Sequence, residues 1–298
     1  MRKLFLAVIA MVLSFVSCDS NGGRPTDGYA EYIWPDSSVY EGDWKNGERC
    51  GTGKMKWADG NSYEGEWKHD MPNGKGKYKW KNGDTFEGEF RDSVPCGEGR
   101  KTWANGAYYQ GSFKNDHPNG KGHYLARDGS MKDGFFRDGW LEGEGTAINE
   151  FGEKYTGTFK KGLPNGKGTM EYPGGDVYTG DWVQGKSDGN GVYKYASGAR
   201  YEGHFEAGSA NGYGVYIWAD GGRYDGEWFN DMRHGYGKMV SSTGEVFVGN
   251  WRNDEYVGYA PKPVQHTETT TENANPAKPE ATTSTASPAA SAPAAANE

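Results

Sequence analysis

Through most of this chain, large apolar residues lie two apart with polar residues between them. Tyr40-Glu41-Gly42-Asp43-Trp44 sets the pattern. A period of two places Tyr40, Gly42 and Trp44 on one face of a β-strand and the acids on the other. A second run, Gly53-Lys54-Met55-Lys56-Trp57, alternates in the same way. The turn pair Asp59-Gly60 separates it from the next such strand. A three-residue hairpin loop with Gly60 left-handed fits this spacing. It predicts Trp57 opposite Asn61, Met55 opposite Tyr63, Gly53 opposite Gly65 and Gly51 opposite Trp67. Rings then lie over glycine backbone, where no side chain blocks them. On the other face Lys54 meets Glu64, and Lys77 meets Glu87. Such pairs contribute roughly 0.2–1 kcal/mol each, so the ladder and the aromatic row must carry stability.

The motif returns every 23 residues without insertion or deletion. Units start at Tyr40, Tyr63, Phe86, Tyr109, Lys132, Tyr155, Tyr178, Tyr201, Tyr224 and Phe247. Counting positions from each start, the third and twelfth are glycine in all ten units, and the fifth is aromatic in all ten. The fourteenth is glycine in nine, failing only at Ala260, and the twenty-first in all nine complete units. Gly28, Tyr32 and Trp34 form half a unit ahead of the first. This pattern resembles the MORN repeat (membrane occupation and recognition nexus), and it covers residues 28–260. The resemblance implies an all-β chain. Each unit is then a β-hairpin, and the hairpins stack into one elongated, twisted antiparallel sheet. Strands ~4.8 Å apart make ten units roughly 100 Å long, with contacts between neighbouring units only. A weaker 46-residue period carries Pro72-Asn73-Gly74, Pro118-Asn119-Gly120 and Pro164-Asn165-Gly166. It reads as duplication of a two-unit block or as a comb of matching loops along one edge.

Composition narrows the class further. Six leucines, three of them before residue 18, cannot furnish the stripes of a helical bundle or the strands of a doubly wound sheet. The chain carries a formal charge of −8 with its bases scattered singly, which argues against nucleic acid as a partner. Residues 40–260 hold 28 Lys plus Arg against 33 Asp plus Glu. On that net balance of −5 the body is not expected to be drawn to anionic headgroups.

The first residues read as a targeting segment. Arg2 and Lys3 precede thirteen uncharged residues, Leu4 to Val16, a length that suits a signal peptide. Phe15-Val16-Ser17-Cys18 resembles a bacterial lipobox, with Phe15 where an aliphatic residue is preferred. It implies a signal of residues 1–17, lipidation at Cys18 and a short linker over 18–27. The protein is then lipid-anchored in a bacterial cell envelope, at the periplasmic side or the cell surface. A plain secretory signal is the alternative, and the protein is then secreted. Residues 261–298, rich in Pro, Ala, Thr and Ser with no aromatic, are expected to be a disordered tail.

No catalytic constellation emerges. The histidines have no metal-ligand spacing, so neither metal nor cofactor is expected. The Gly-x-Gly pairs recur as repeat glue before strands rather than helices. Cys50 and Cys96 share a repeat position two units apart, roughly 19 Å, which is too far for a disulfide. The fifth unit departs most from the pattern. Lys132 replaces the leading aromatic and Phe135 stands at a polar or small position. Trp140 and Leu141 fall in what the spacing presents as an inter-strand loop. Ile148 and, one unit earlier, Leu125 fall on the outer face. Grouped apolar residues either mark a contact site or repack locally. Phe135, Trp140, Leu141, Leu125 and Ile148 are the candidate partner contacts. The chain is expected to be a non-enzymatic scaffold for an unknown protein partner, tied to the membrane by its N-terminal lipid. A glycan-, peptidoglycan- or lipid-binding surface is the alternative.

Overall fold

The computed structural model describes residues 23–259. The expected signal, Cys18 and the tail lie outside them. Among the described residues there are 21 strands and no helix, in one antiparallel sheet. Strands β1 (Gly28–Ile33), β2 (Val39–Lys45), β3 (Glu48–Lys56) and β4 (Ser62–Lys68) pair in chain order. The meander continues unbroken to β20 (Val246–Arg252) and β21 (Glu255–Gly258). The register between β3 and β4 is the expected one: Gly51 faces Trp67, Gly53 faces Gly65 and Met55 faces Tyr63. The loop closes as anticipated, by Trp57 N–H donating to Asn61 O at 3.0 Å, with Gly60 at φ 95°. The outer-face pairs Lys54–Glu64 and Lys77–Glu87 form at 3.0 and 3.3 Å.

The other connection within each unit differs from expectation. The segments expected to be loops, Trp140-Leu141 and Pro72-Asn73-Gly74, are not loops. A two-residue turn at positions seven and eight joins the strands, and positions nine to thirteen belong to the second strand. Both turn residues are left-handed, as in Asn46 (φ 51°) and Gly47 (φ 77°), the signature of a type I′ hairpin. His69-Asp70 and Asp92-Ser93 adopt the same conformation. Trp140 and Leu141 therefore open strand β11 (Trp140–Ile148), and Pro72-Asn73-Gly74 lies within β5 (Met71–Lys79). The extra length is absorbed by a bulge: Gly65 pairs with Gly76 while Trp67 already pairs with Pro72.

The bulge is satisfied locally. Tyr63 Oη donates to Glu66 O at 2.9 Å, and Lys75 N–H donates to the Glu66 carboxylate at 3.0 Å. Equivalent tyrosine bonds recur at Tyr178, Tyr201 and Tyr224. Each eighth-position N–H also donates to the tenth-position carbonyl of the preceding unit, as Asp70 to Arg49 at 3.1 Å and Gly162 to Leu141 at 2.9 Å. Units are thereby tied along the turn edge as well as through the ladder.

The core is one row of rings. Tyr40 contacts Trp44 edge-to-face at 5.1 Å and Trp67 of the next unit at 5.2 Å. Tyr63 repeats this with Trp67 and Phe90, and Phe86 with Phe90 and Phe113. Each contact is worth ~0.5–1.5 kcal/mol beyond its burial. Indole N–H groups find carbonyls one unit back, as Trp67 to Gly53 O at 3.1 Å. The zigzag runs from Tyr40 to Phe136 and again from Tyr155 to Trp251. It breaks at Lys132.

Towards the ends, arginine replaces the tenth-position proline. Arg49 lies 4.6 Å from the Trp67 ring centroid, donates from Nε to Asp70 at 3.0 Å, and reaches the Asp70 carbonyl at 2.7 Å. Arg233 does the same with Trp251 and Asp254. Partial burial pushes the Asp70 pKa up, but the Arg49 N–H and guanidinium, with Arg24 at 3.1 Å, outweigh it and hold the carboxyl below its ordinary value. A depressed folded pKa contributes stability above the unfolded value of ~3.9, and that contribution is lost as pH falls through the folded value. Asp70→Asn is therefore expected to lower the urea midpoint near neutral pH and to leave it unchanged in strong acid. An equal loss at both pH values would rule out the ionic part of this clamp.

Candidate functional site

The sheet offers two unlike faces. On the aromatic face the first- and fifth-position rings are buried and closed to a ligand. Burial pushes the phenols of Tyr109 and Tyr155 up to about 12, so their hydroxyls remain donors to the bulge carbonyls. A second row, at positions sixteen and eighteen, packs against the first but stays half-exposed. Trp57, Tyr78 and Trp80 adjoin at 5.5 and 4.6 Å. Further along, Tyr172, Tyr193, Tyr195, Tyr216 and Trp218 form a chain of contacts at 4.5–5.9 Å. Tyr193 is held by Asp176, which accepts its hydroxyl at 2.9 Å. The result is a strip of half-exposed rings beside the buried row, the aromatic trough of this face, whose contacts along the sheet hold each ring in place.

The outer face is banded. Across the strands that carry the paired glycines lies a shallow furrow of about 680 Å³ near Thr169, Thr179 and the Lys167–Asp181 ion pair. Nearer the turn edge runs a row of bases at the sixth position: Lys45, Lys68, Arg91, Lys114, Arg137 and Lys160. All are exposed, and none forms an ion pair among the described residues. Between them the ninth position presents exposed Met71, Val94, Trp140 and Leu163. Single-residue scatter in the sequence conceals this row, because a 23-residue spacing becomes a line only when the register is known.

The five candidate contacts do not form one patch. Phe135 and Trp140 are exposed on the outer face, at 49% and 41%. Leu125 and Ile148 are half-buried there, both paired with Met131. Leu141 must be withdrawn as a surface contact: it is 1% exposed and lies on the aromatic face. Its methyls sit over Gly134 and Gly145, the place a first-position ring takes in other units. Lys132 vacates that place, and the leucine plugs it. Sequence reasoning missed this because the two residues are nine apart and meet only through the turn. Phe135 occupies the fourth position, where carboxylates elsewhere accept a bulge N–H, as Asp43 does from Thr52 at 2.8 Å. Cys50 and Cys96 are free thiols.

Comparison with known proteins fits this architecture. The MORN repeat pattern matches residues 40–62, 63–85, 86–108, 109–131, 155–177, 178–200, 201–223, 224–246 and 247–260, passing over the fifth unit. That unit nevertheless keeps its hairpin, β10 (Met131–Arg137) paired with β11. No curated protein matches the sequence at a significant level. Among solved structures, the TCP10 domain of Danio rerio CPAP in complex with a STIL peptide is 14% identical. Its TM-score is 0.36 over 75% of this chain and 94% of that one. The Drosophila melanogaster SAS-4 TCP domain in complex with a proline-rich motif of Ana2 is 12% identical, with a TM-score of 0.26 over 76% and 95%. Virginiamycin B lyase from Staphylococcus aureus, with quinupristin, is 12% identical, with a TM-score of 0.13 over 74% and 69%. Nine matches in the chain's own 23-residue register decide the assignment: the chain belongs to the MORN repeat family.

Proposed function

We propose that this protein is a non-enzymatic scaffold that docks extended peptide segments of partner proteins in its aromatic trough. We further propose that it is held in a bacterial cell envelope by a lipid on Cys18. The observation that carries the reading is the half-exposed second row of rings. Rigid aromatic edges offer apolar contact area at little entropic cost, since their neighbours already immobilise them. The outer-face row supports the membrane side of the proposal. Six unpaired bases interleaved with exposed apolar residues suit an anionic bilayer surface, at ~1 kcal/mol per base brought close. The net charge of the body hides this, because acids of other bands cancel the row in the sum. Trough and row lie on opposite faces, so a membrane on one leaves the other open.

Displayed random peptides provide the test. Peptides selected on the wild-type array are expected to bind Tyr195→Ala at least ~10-fold more weakly, a loss of ~1.4 kcal/mol. In parallel, mass spectrometry of protein from a bacterial host is expected to find acyl chains on wild type and none on Cys18→Ala. Equal peptide binding by Tyr195→Ala would remove the trough as the docking surface. Binding of peptidoglycan fragments in place of peptides would favour the glycan alternative. Unacylated wild type would leave a secreted protein.

A further inference from the structure

The register places four basic residues on the aromatic face: Arg49, Lys101, Lys132 and Arg233. Three are paired with the eighth-position aspartate of the following unit. Arg49 meets Asp70 at 3.0 Å, Lys101 meets Asp116 at 3.4 Å, and Arg233 meets Asp254 at 2.9 Å. Lys132 has no such partner. The eighth positions of its own and the following unit are Gly139 and Gly162. Its ammonium forms no ion pair or hydrogen bond among the described residues. Burial lowers its pKa, and no carboxylate offsets that effect. A half-buried ammonium without a counter-ion is unfavourable, and an arriving anion relieves it.

The trough also opens at this point. The register sets Tyr124 and Ala147 opposite Lys132. Ala126, Ala147 and Asn149 stand at second-row positions that carry Trp103 two strands before and Tyr172 two strands after. The ring row is therefore interrupted between β9 (His117–Leu125) and β13 (Leu163–Glu171), four strand spacings or about 19 Å. We propose that this opening is a subsite for one carboxylate of the docked peptide, an Asp or Glu side chain or a C-terminus, with Lys132 as its counter-ion. The proposal rests on the trough being the peptide site. One ammonium matches the single charge of a carboxylate. A phosphate, near −2, calls for further cations, and the other trough bases are already paired.

The probe is the random peptide library displayed against the full chain. Wild type is expected to select an acidic residue at a fixed distance from the apolar ones. The synthetic consensus peptide with that acid changed to its amide is expected to bind wild type at least ~10-fold more weakly. Lys132→Met removes the ammonium while keeping an unbranched apolar stem, and is expected to bind both peptides alike. Lys132→Arg is expected to restore discrimination. Suppose the selected peptides need Tyr195 yet show no acid preference, or Lys132→Met still discriminates. The carboxylate subsite is then wrong and the trough stands. If no Tyr195-dependent peptide is selected, the trough reading falls, and the subsite with it.

Discussion

Gly65→Ala is expected to cost ~3 kcal/mol or more, at the upper end of what overpacking a filled interior costs. A methyl at Gly65 would lie 2.4 Å from the Gly76 Cα, 2.6 Å from the Lys75 carbonyl oxygen and 2.6 Å from the Tyr63 hydroxyl. The first two are backbone atoms of the paired strand, so no rotamer change can make room. The strands must part, and the Tyr63 ring that spans both glycines must lift. Its contacts with Trp67 and Phe90 weaken with it. Gly174→Ala is the control. That residue has an ordinary φ and no atom within 4 Å of an added methyl, so its urea midpoint should not move. Because units touch only their neighbours, the loss should be local. Amide exchange should quicken in β4 and β5 before it does in β20. If Gly65→Ala and Gly174→Ala behave alike, the paired glycines are not there to admit the ring.

The same geometry explains how far the sequence could be read. The period of two and the recurring third- and fourteenth-position glycines fix the β3–β4 register, since only glycine against glycine leaves space for Tyr40 and Tyr63. The first hairpin of each unit was less legible. Its turn pair changes from Asn46-Gly47 to His69-Asp70, Gln184-Gly185 and Ala207-Gly208, yet all are left-handed. Such a turn is imposed by the twist of the strands it joins more than by its residue types. The basic row on the outer face and the pairing of Arg49 with Asp70 were hidden for another reason. Both depend on which residues 21 to 23 apart become neighbours, and a bulge must be placed before that is known. The fifth unit was recognisable as deviant, but its meaning was not. Phe135 and Trp140 stay outside, while Leu141 crosses to the core because Lys132 leaves a place empty.

Leu141→Ala is expected to cost ~2–5 kcal/mol, the range for emptying a buried leucine site. The leucine is fully buried at a point where no first-position ring can relax into the gap. Lys132→Tyr alone should also destabilise, by ~1–3 kcal/mol. The incoming ring needs the space over Gly134 and Gly145 that the Leu141 methyls hold. The pair Lys132→Tyr with Leu141→Pro restores the pattern of the second, fourth and sixth units. It should rejoin the edge-to-face zigzag between Phe136 and Phe159. Measured as a double-mutant cycle in urea, the two changes should couple favourably by ~1–3 kcal/mol, as contacting core residues do. Additive effects would mean that the lysine and the leucine are unrelated substitutions. Strong coupling would mean that they form one device: the leucine keeps the fold intact so that an ammonium can stand in the trough. The restored double variant is then expected to be more stable than either single variant and, in the peptide assay, to have lost its preference for the acid.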